Sequence, residues 1–276
     1  MSFVHSIWTA PMKNQRWEET EQFKKNVWLF AYSVACLKNL GVETDLYTDK
    51  DGKDIFGFLP YNKIHTTLEN FNVDKRFWAA FKIETYKHLK EGDIHIDGDV
   101  FLLYKHTLEQ FKFDGYDAIF QHQEPITADF LFYQDILNTV KTYIAPPDWF
   151  YENNLPYNCG CCGFNNQQLK HKYIDVYFSM LEKISSTPEL QKENCVFDLY
   201  TEQWLVSSLM KKNNAKIKTF FKEYTQHFDD YCKMIGYIHY VGRHKYKEDF
   251  QIEIRENLKK INPKLYDEVL QQVEKL

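Results

Sequence analysis

The sequence predicts an α/β fold with a mostly parallel sheet flanked by helices, and three observations predict it. Short β-rich runs alternate with helical stretches through roughly the first hundred residues, the rhythm of strands joined by crossover helices. The chain has 276 residues, 44% of them hydrophobic and 17% aromatic, enough to bury a large core. Two acids interrupt an otherwise apolar strand, Ile94-His-Ile-Asp97-Gly98-Asp99-Val-Phe-Leu102, at the kind of strand end where such sheets bind ligands.

Taken in order, Phe3–Trp8 reads as a strand that stops before Pro11. Between Glu19 and Leu40 the apolar residues Phe23, Val27, Phe30, Val34 and Leu37 recur at helical spacing, and Gly41 ends the helix. Val42–Thr48 is a second strand, closed by the turn Asp49-Lys50-Asp51-Gly52. Ile64–Thr67 is a third strand, Phe77–Leu89 a helix, and Asp93–Leu103 one continuous strand. Further on, Asp117–Phe120 and Tyr157–Phe164 are strand candidates, and Asn166–Lys183 and Tyr200–Lys212 are helices. The chain ends in two amphipathic helices broken at Asn262-Pro263. No linker or repeat divides it, so residues 1–246 are expected to form the main domain and 247–276 a helical pair packed on it.

The net charge is −5 and no block of lysine or arginine appears, which excludes a nucleic-acid backbone as partner and points to a small or neutral ligand. Neither an export signal nor an apolar run long enough for a membrane helix is present, so the six cysteines read as reduced thiols in a cytoplasm. Three of them cluster as Cys159-Gly-Cys161-Cys162. A structural zinc site usually needs two separated ligand pairs. No second pair faces this cluster, and the cysteines are expected as small residues of a packed strand.

Ionised carboxylates are expensive to bury unless paired or metal-bound. With Gly98 freeing the backbone, Asp97 and Asp99 could converge and hold Mn²⁺ or Mg²⁺ through part of its shell, leaving positions for phosphate oxygens. The plainer alternative is a turn between two short strands, with both acids solvated. A phosphatase of the haloacid-dehalogenase type also uses a strand-end Asp-x-Asp, but near the N-terminus and followed two residues later by Thr or Val, where this chain has Phe101. Near the other end, His239-Tyr-Val-Gly242-Arg-His-Lys245 offers an imidazole for a metal, a glycine that lets backbone N–H groups approach phosphate, and a point charge.

These two motifs, in this order and about 140 residues apart, resemble the GT-A retaining glycosyltransferases typified by glycogenin and the bacterial lipopolysaccharide galactosyl- and glucosyltransferases. The resemblance implies a GT-A (Rossmann-like) fold with a C-terminal helical extension. It implies that Asp97, Asp99 and His239 bind the metal and that Gly242 and Lys245 touch the diphosphate. In the family the lysine is usually followed by Pro-Trp, whereas Tyr246-Lys247 stand here. Lys82, in Arg76-Phe-Trp-Ala-Ala-Phe-Lys82, takes the place of a basic residue on the donor. Tyr157-Asn158-Cys-Gly-Cys-Cys-Gly-Phe-Asn165 resembles the strand whose first Asn, here Asn158, faces the sugar. In Tyr200-Thr-Glu202-Gln203-Trp-Leu205, Glu202 stands where the family has an aspartate orienting the donor sugar, and Gln203 would lie beneath the anomeric carbon. Trp8 and Thr9, at the end of the first strand, complete the expected donor-binding set.

The reading that follows is a metal-dependent transfer of a hexose from a nucleotide-diphosphate sugar, a UDP-hexose first, to a glycan or lipid-linked saccharide, with retention. Bacterial polysaccharide biosynthesis is the expected setting, and the cytoplasm, at the inner face of a membrane, the expected place, with peripheral contact through the C-terminal helices. Acceptor-stacking aromatics are expected in residues 128–151 (Phe130, Phe132, Tyr133, Trp149, Tyr151), and an inverting enzyme would draw its base from Asp129, Asp135 or Asp148. The alternatives are an inactive nucleotide-sugar-binding module of the same fold and the phosphohydrolase.

Overall fold

A computed structural model describes residues 1–10, 20–74, 76–124, 132–150, 155–192, 197–221 and 228–276. The strands are β1 (Phe3–Ile7), β2 (Thr44–Thr48), β3 (Lys63–His65), β4 (Ile94–Ile96), β5 (Val100–Leu102), β6 (Ala118–Phe120), β7 (Cys161–Phe164), β8 (Ile217–Thr219) and β9 (Tyr237–His239). The α-helices used below are α1 (Thr20–Asn39), α2 (Lys50–Phe56), α3 (Ala80–Tyr86), α4 (Phe132–Tyr143), α5 (Gln167–Ser186), α6 (Pro188–Gln191), α7 (Leu205–Lys212), α8 (Phe228–Ile235), α9 (Glu248–Ile261) and α10 (Pro263–Lys275). The chain forms two compact units, one from Met1–Phe71, Asp93–Lys112 and Gln226–Leu276, the other from Asn72–Gly92 and Phe113–Thr225.

The central sheet has seven strands and is mostly parallel. The first unit contributes β3-β2-β1-β4, all paired in parallel. A separate antiparallel ribbon joins β5 to β9. The core of this unit sits under α1, where Val27, Leu29, Ala31 and Val34 pack with Leu46, Phe56 and Phe101. Ile254 and Leu258 of α9 and Leu265 and Val269 of α10 join the same cluster at 0–3% exposure, and burying each such side chain is worth about 1.5–3 kcal/mol. The second unit contributes β7-β6-β8, antiparallel between β6 and β7 and parallel between β6 and β8. Its core is aromatic: Tyr86 and Tyr173 lie against Phe164, and Phe77 stacks on Phe197.

Where the structure differs from the sequence reading, local hydrogen bonding explains it. The continuous strand expected over Asp93–Leu103 is two strands, because Val100 N donates back to Asp97 O at 3.0 Å and turns the chain into a different ladder. The turn expected at Asp49–Gly52 opens α2 instead: Asp49 is its N-cap and accepts from Gly52 N. The helix expected from Tyr200 begins as a π-helix, Leu199–Trp204, before α7. Of the strand expected over Tyr157–Phe164 only Cys161–Phe164 forms, with Tyr157 in an isolated bridge to Gln123. Helices α4, α6 and α8 and strand β8 carry no sequence expectation.

One buried polar network holds α1, β1 and β5 together. Ser33 Oγ donates to Val100 O at 2.6 Å, so its oxygen accepts from His5 Nε2 at 3.1 Å, and His5 Nδ1 accepts from Tyr61 OH at 2.9 Å. Burial holds the His5 imidazole neutral down to about 3, against the opposing pull of Asp99. An unfolded histidine takes up its proton near pH 6.5, so this contribution to stability is complete above that pH and is lost as pH falls toward 3. In urea denaturation from pH 7 to 4, His5→Gln should start less stable but lose less stability across the window than the wild type. Parallel curves would show that His5 is not held neutral.

Candidate functional site

In the first unit, the site begins where β4 ends. Asp97 and Asp99 flank Gly98, and β5 resumes at Val100. The ribbon registers Val100 opposite His239, and Tyr240 N donates to Asp99 O at 3.1 Å. That register carries the imidazole to the carboxylate, with His239 Nε2 3.5 Å from Asp99 Oδ1. Ligand atoms of Asp97, Asp99 and His239 all lie within 4.8 Å of one another. Two hard oxygen donors and one imidazole suit Mn²⁺ or Mg²⁺, with the nitrogen favouring Mn²⁺. The residues present therefore fit such a cation.

Lys245 lies in the 3₁₀ turn Gly242–Tyr246 and brings Nζ to 2.5 Å from Asp99 Oδ2. Burial pushes the Asp99 carboxyl upward, but Lys245 and His239 outweigh it and hold it well below the usual carboxylate range. Burial likewise opposes the charge on Lys245, and Asp99 more than restores it. Gly242 has φ +68, a backbone that L side chains rarely adopt. Gly98 is a glycine for another reason: its φ is not in the left-handed region, and a Cβ there would stand 2.4–2.5 Å from the Phe30 ring. Behind Asp97, His95 Nδ1 is 3.9 Å from Oδ1 and its Nε2 meets Ser6 Oγ at 2.6 Å. Trp8 and Thr9 are buried in the same unit. Thr9 N and Oγ1 both donate to Asp49 Oδ2, at 2.9 and 2.8 Å, and Trp8 packs edge-on against Phe71.

The second unit collects the other expected residues into one polar group. Lys82, 3% exposed on α3, meets Glu202 Oε1 at 2.7 Å and donates to Cys159 O at 3.2 Å. Glu202 is 1% exposed and lies with Gln203 in the π-helix, where Tyr173 OH donates to the Glu202 carbonyl at 2.9 Å. Asn158 Nδ2 donates to Glu124 Oε1 at 2.5 Å, and Tyr133 OH links Glu124 to Gln203. Sequence reasoning missed Glu124. No short pattern marks it, because Asp97 directly follows β4 whereas Glu124 stands four residues past β6 and gains its meaning from Asn158 and Tyr133. Tyr133, expected as a stacking surface, is 1% exposed and acts through its hydroxyl.

Cys159, Cys161 and Cys162 are buried thiols at β7 and just before it. Of the expected acceptor stretch, Asp129, Phe130 and Tyr151 lie outside the described residues, as does the Phe132 side chain. Asp135 and Asp148 are exposed and Trp149 is half-buried. No helix among the described residues is long and apolar enough to cross a membrane.

Comparison with solved structures shows the fold. The galactosyltransferase LgtC, in complex with donor and acceptor sugar analogues, superposes with a TM-score of 0.50 at 9% identity, covering 98% of this chain and 100% of its own. Mouse xyloside xylosyltransferase 1, in its apo form, gives 0.42 at 10% identity over 87% of this chain and 94% of its own. The match to LgtC shows the fold as the α/β GT-A type; identity this low says nothing of chemistry. A family described as one of unknown function, DUF6734, matches residues 1–272. No curated protein matches the sequence.

Two outcomes follow from the packing around these groups. Gly98→Ala should cost about 1–3 kcal/mol in chemical denaturation, because the Phe30 ring must shift; an unchanged midpoint would show that the ring yields freely. Lys82→Met removes the cation 2.7 Å from the buried Glu202 carboxylate and should cost about 3–5 kcal/mol, most of it recovered in Lys82→Met/Glu202→Leu. If the double variant is as unstable as the single one, the pair is not what the loss reports.

Proposed function

We propose that this chain, which belongs to the DUF6734 family, is a metal-dependent glycosyltransferase. It would move a hexose from a nucleotide-diphosphate sugar, a UDP-hexose first, to a hydroxyl of a glycan or lipid-linked saccharide with retention. The observation that carries the reading is the convergence of Asp97, Asp99 and His239 to within 4.8 Å at a strand end, with Lys245 beside them. Asp97, Asp99 and His239 would hold Mn²⁺ or Mg²⁺, and the cation supplies positive charge where the leaving diphosphate gains negative charge.

The chain's own residues do the rest. Lys245 adds a second positive charge to the same region, and the left-handed backbone at Gly242 leaves its surroundings open to a phosphate, since nothing stands within 4 Å of a Cβ there. In the second unit Glu202, fixed by Lys82, orients the donor sugar, and Asn158 and Gln203 contact it. As the bond from the anomeric carbon to the phosphate oxygen breaks, the electron pair leaves with the diphosphate. The acceptor oxygen bonds to the same face of that carbon, and its proton passes to the departing phosphate oxygen. A bacterial polysaccharide as acceptor and a place at the inner face of a membrane belong to the same proposal, with the exposed Ile252, Ile261 and Leu270 of α9 and α10 as the contacting side chains.

A thermal-shift and hydrolysis screen of UDP-sugars, with and without Mn²⁺, tests this reading. A ligand that binds only the folded state raises the melting point. One UDP-hexose should raise it by several degrees only when Mn²⁺ is present and should be hydrolysed slowly, and Asp99→Asn and His239→Ala should each abolish both effects. Binding without turnover by any donor would leave a nucleotide-sugar-binding module, and wild-type behaviour of either variant would remove that residue from the metal shell.

A further inference from the structure

The polar group of the second unit contains a chain of hydrogen bonds whose direction can be counted out from its ends. Gly160 N donates to Asn158 Oδ1 at 2.9 Å, so the Asn158 amide turns its NH₂ to Glu124 Oε1, at 2.5 Å. A carboxylate only accepts. Glu124 Oε2, 3.2 Å from the Tyr133 hydroxyl, therefore takes the single hydrogen that hydroxyl owns. The same hydroxyl meets the side-chain amide of Gln203. With its hydrogen already given to Glu124, it can only accept there, and the amide must present its NH₂. Oε1 is the end set toward Tyr133, but the two ends of an amide exchange by a half-turn and the hydrogen-bond network decides between them. The network selects the NH₂ end, and the Gln203 carbonyl oxygen is turned away from Tyr133.

A second observation marks the same residue. Gln203 sits in the π-helix, where Leu205 N reaches back to Tyr200 O instead of the ordinary partner one residue later. Such wide turns in helices are uncommon and concentrate at functional positions. Tyr133 itself is 1% exposed and packs edge-on against Trp204, so its hydroxyl has little freedom to seek another arrangement.

We infer that Glu124 and Tyr133 are positioning residues that lock the Gln203 amide with its carbonyl oxygen facing the donor sugar. The inference rests on the glycosyltransferase reading and deepens it. When the bond to the diphosphate breaks, the anomeric carbon becomes electron-poor. The negative end of a fixed carbonyl dipole stabilises that charge without having to reorganise, whereas the N–H end would oppose it. Glu124 thus sets the sign of a dipole that it does not itself carry.

The test uses near-isosteric changes in the full chain, with UDP-hexose hydrolysis and transfer measured at saturating Mn²⁺. In Glu124→Gln, Asn158 still donates to the side-chain oxygen, so the new NH₂ faces Tyr133, the hydroxyl hydrogen swings to Gln203, and the amide reverses. That variant and Tyr133→Phe should each lose about tenfold in kcat, the effect of one misdirected hydrogen bond, with donor KM within about twofold and melting points near the wild type. In a Gln203→Ala background neither change should slow the enzyme further, because both act through that amide. Wild-type kcat in Glu124→Gln, or losses that multiply in the Gln203→Ala background, would overturn the inference while leaving the transferase reading in place. A wild-type protein that turns over no nucleotide sugar removes both.

Discussion

Much of the first unit is arranged around the burial of one carboxylate. Asp99 is 8% exposed, and an unpaired anion at that depth would be strongly unfavourable. Its partners come from 146 residues further along the chain, where Lys245 supplies the cation and the preceding strand supplies His239. That need gives the three-residue strand β9 its purpose, since the ribbon with β5 is what sets the imidazole beside the carboxylate. The turn bearing Lys245 is pinned in its own right: Gln251 Nε2 donates to Lys245 O at 2.7 Å, Lys25 Nζ to Tyr246 O at 2.8 Å, and Tyr246 OH to Asn26 Oδ1 at 3.0 Å. Two of those anchors come from α1, the helix that α9 and α10 cover. The C-terminal helices and the strand end that bears Asp97 and Asp99 are therefore stabilised by the same element.

The second unit solves the same electrostatic problem differently. Lys82 and Glu202 sit on helices at 3% and 1% exposure and are oriented by backbone partners, the Cys159 carbonyl for the lysine and Tyr173 on the Glu202 peptide. A buried pair of this kind contributes little net stability against a well-packed apolar substitute, while breaking it is costly. Its retention among so many aromatic side chains is better understood as fixing geometry. The wide turn that holds Glu202 and Gln203 departs from regular helix in the same place, and local departures from ideal structure tend to be kept where function needs them.

Much of this was legible in the sequence because it depended on short patterns. The acids in Ile94–Leu102 and the His-x-x-Gly-x-x-Lys run named the first-unit group, and the geometry brings those side chains together. The break between β4 and β5 stayed open in the sequence, as one strand or as two joined by a turn, since Ile-His-Ile and Val-Phe-Leu are equally good strand formers and only the bond from Val100 N to Asp97 O separates them. Gly98 was read as a hinge, but it is small because Phe30, sixty-eight residues earlier, occupies its Cβ space. Periodicity carries no record of such a neighbour. Glu124 and the hydroxyl role of Tyr133 were hidden for the same reason: each acquires meaning only through partners distant in sequence.

The two lysine–carboxylate pairs also differ in how readily they can be exchanged. Lys245 rides on a single 3₁₀ turn whose first residue, Gly242, and the preceding Val241 are exposed. Its side chain keeps 18% exposure, so its charge can be shared with an incoming anion at modest desolvation cost. Lys82 has no such freedom; moving it would take the cation away from Glu202, which is 1% exposed. One pair is therefore suited to meeting a charged ligand that comes and goes, and the other to holding a polar framework still. The proposed transfer would need both properties, because the diphosphate must be released after each turnover while the groups that orient the sugar must be in place before the next donor arrives. Dividing them between a turn and two helices lets each be tuned without disturbing the other.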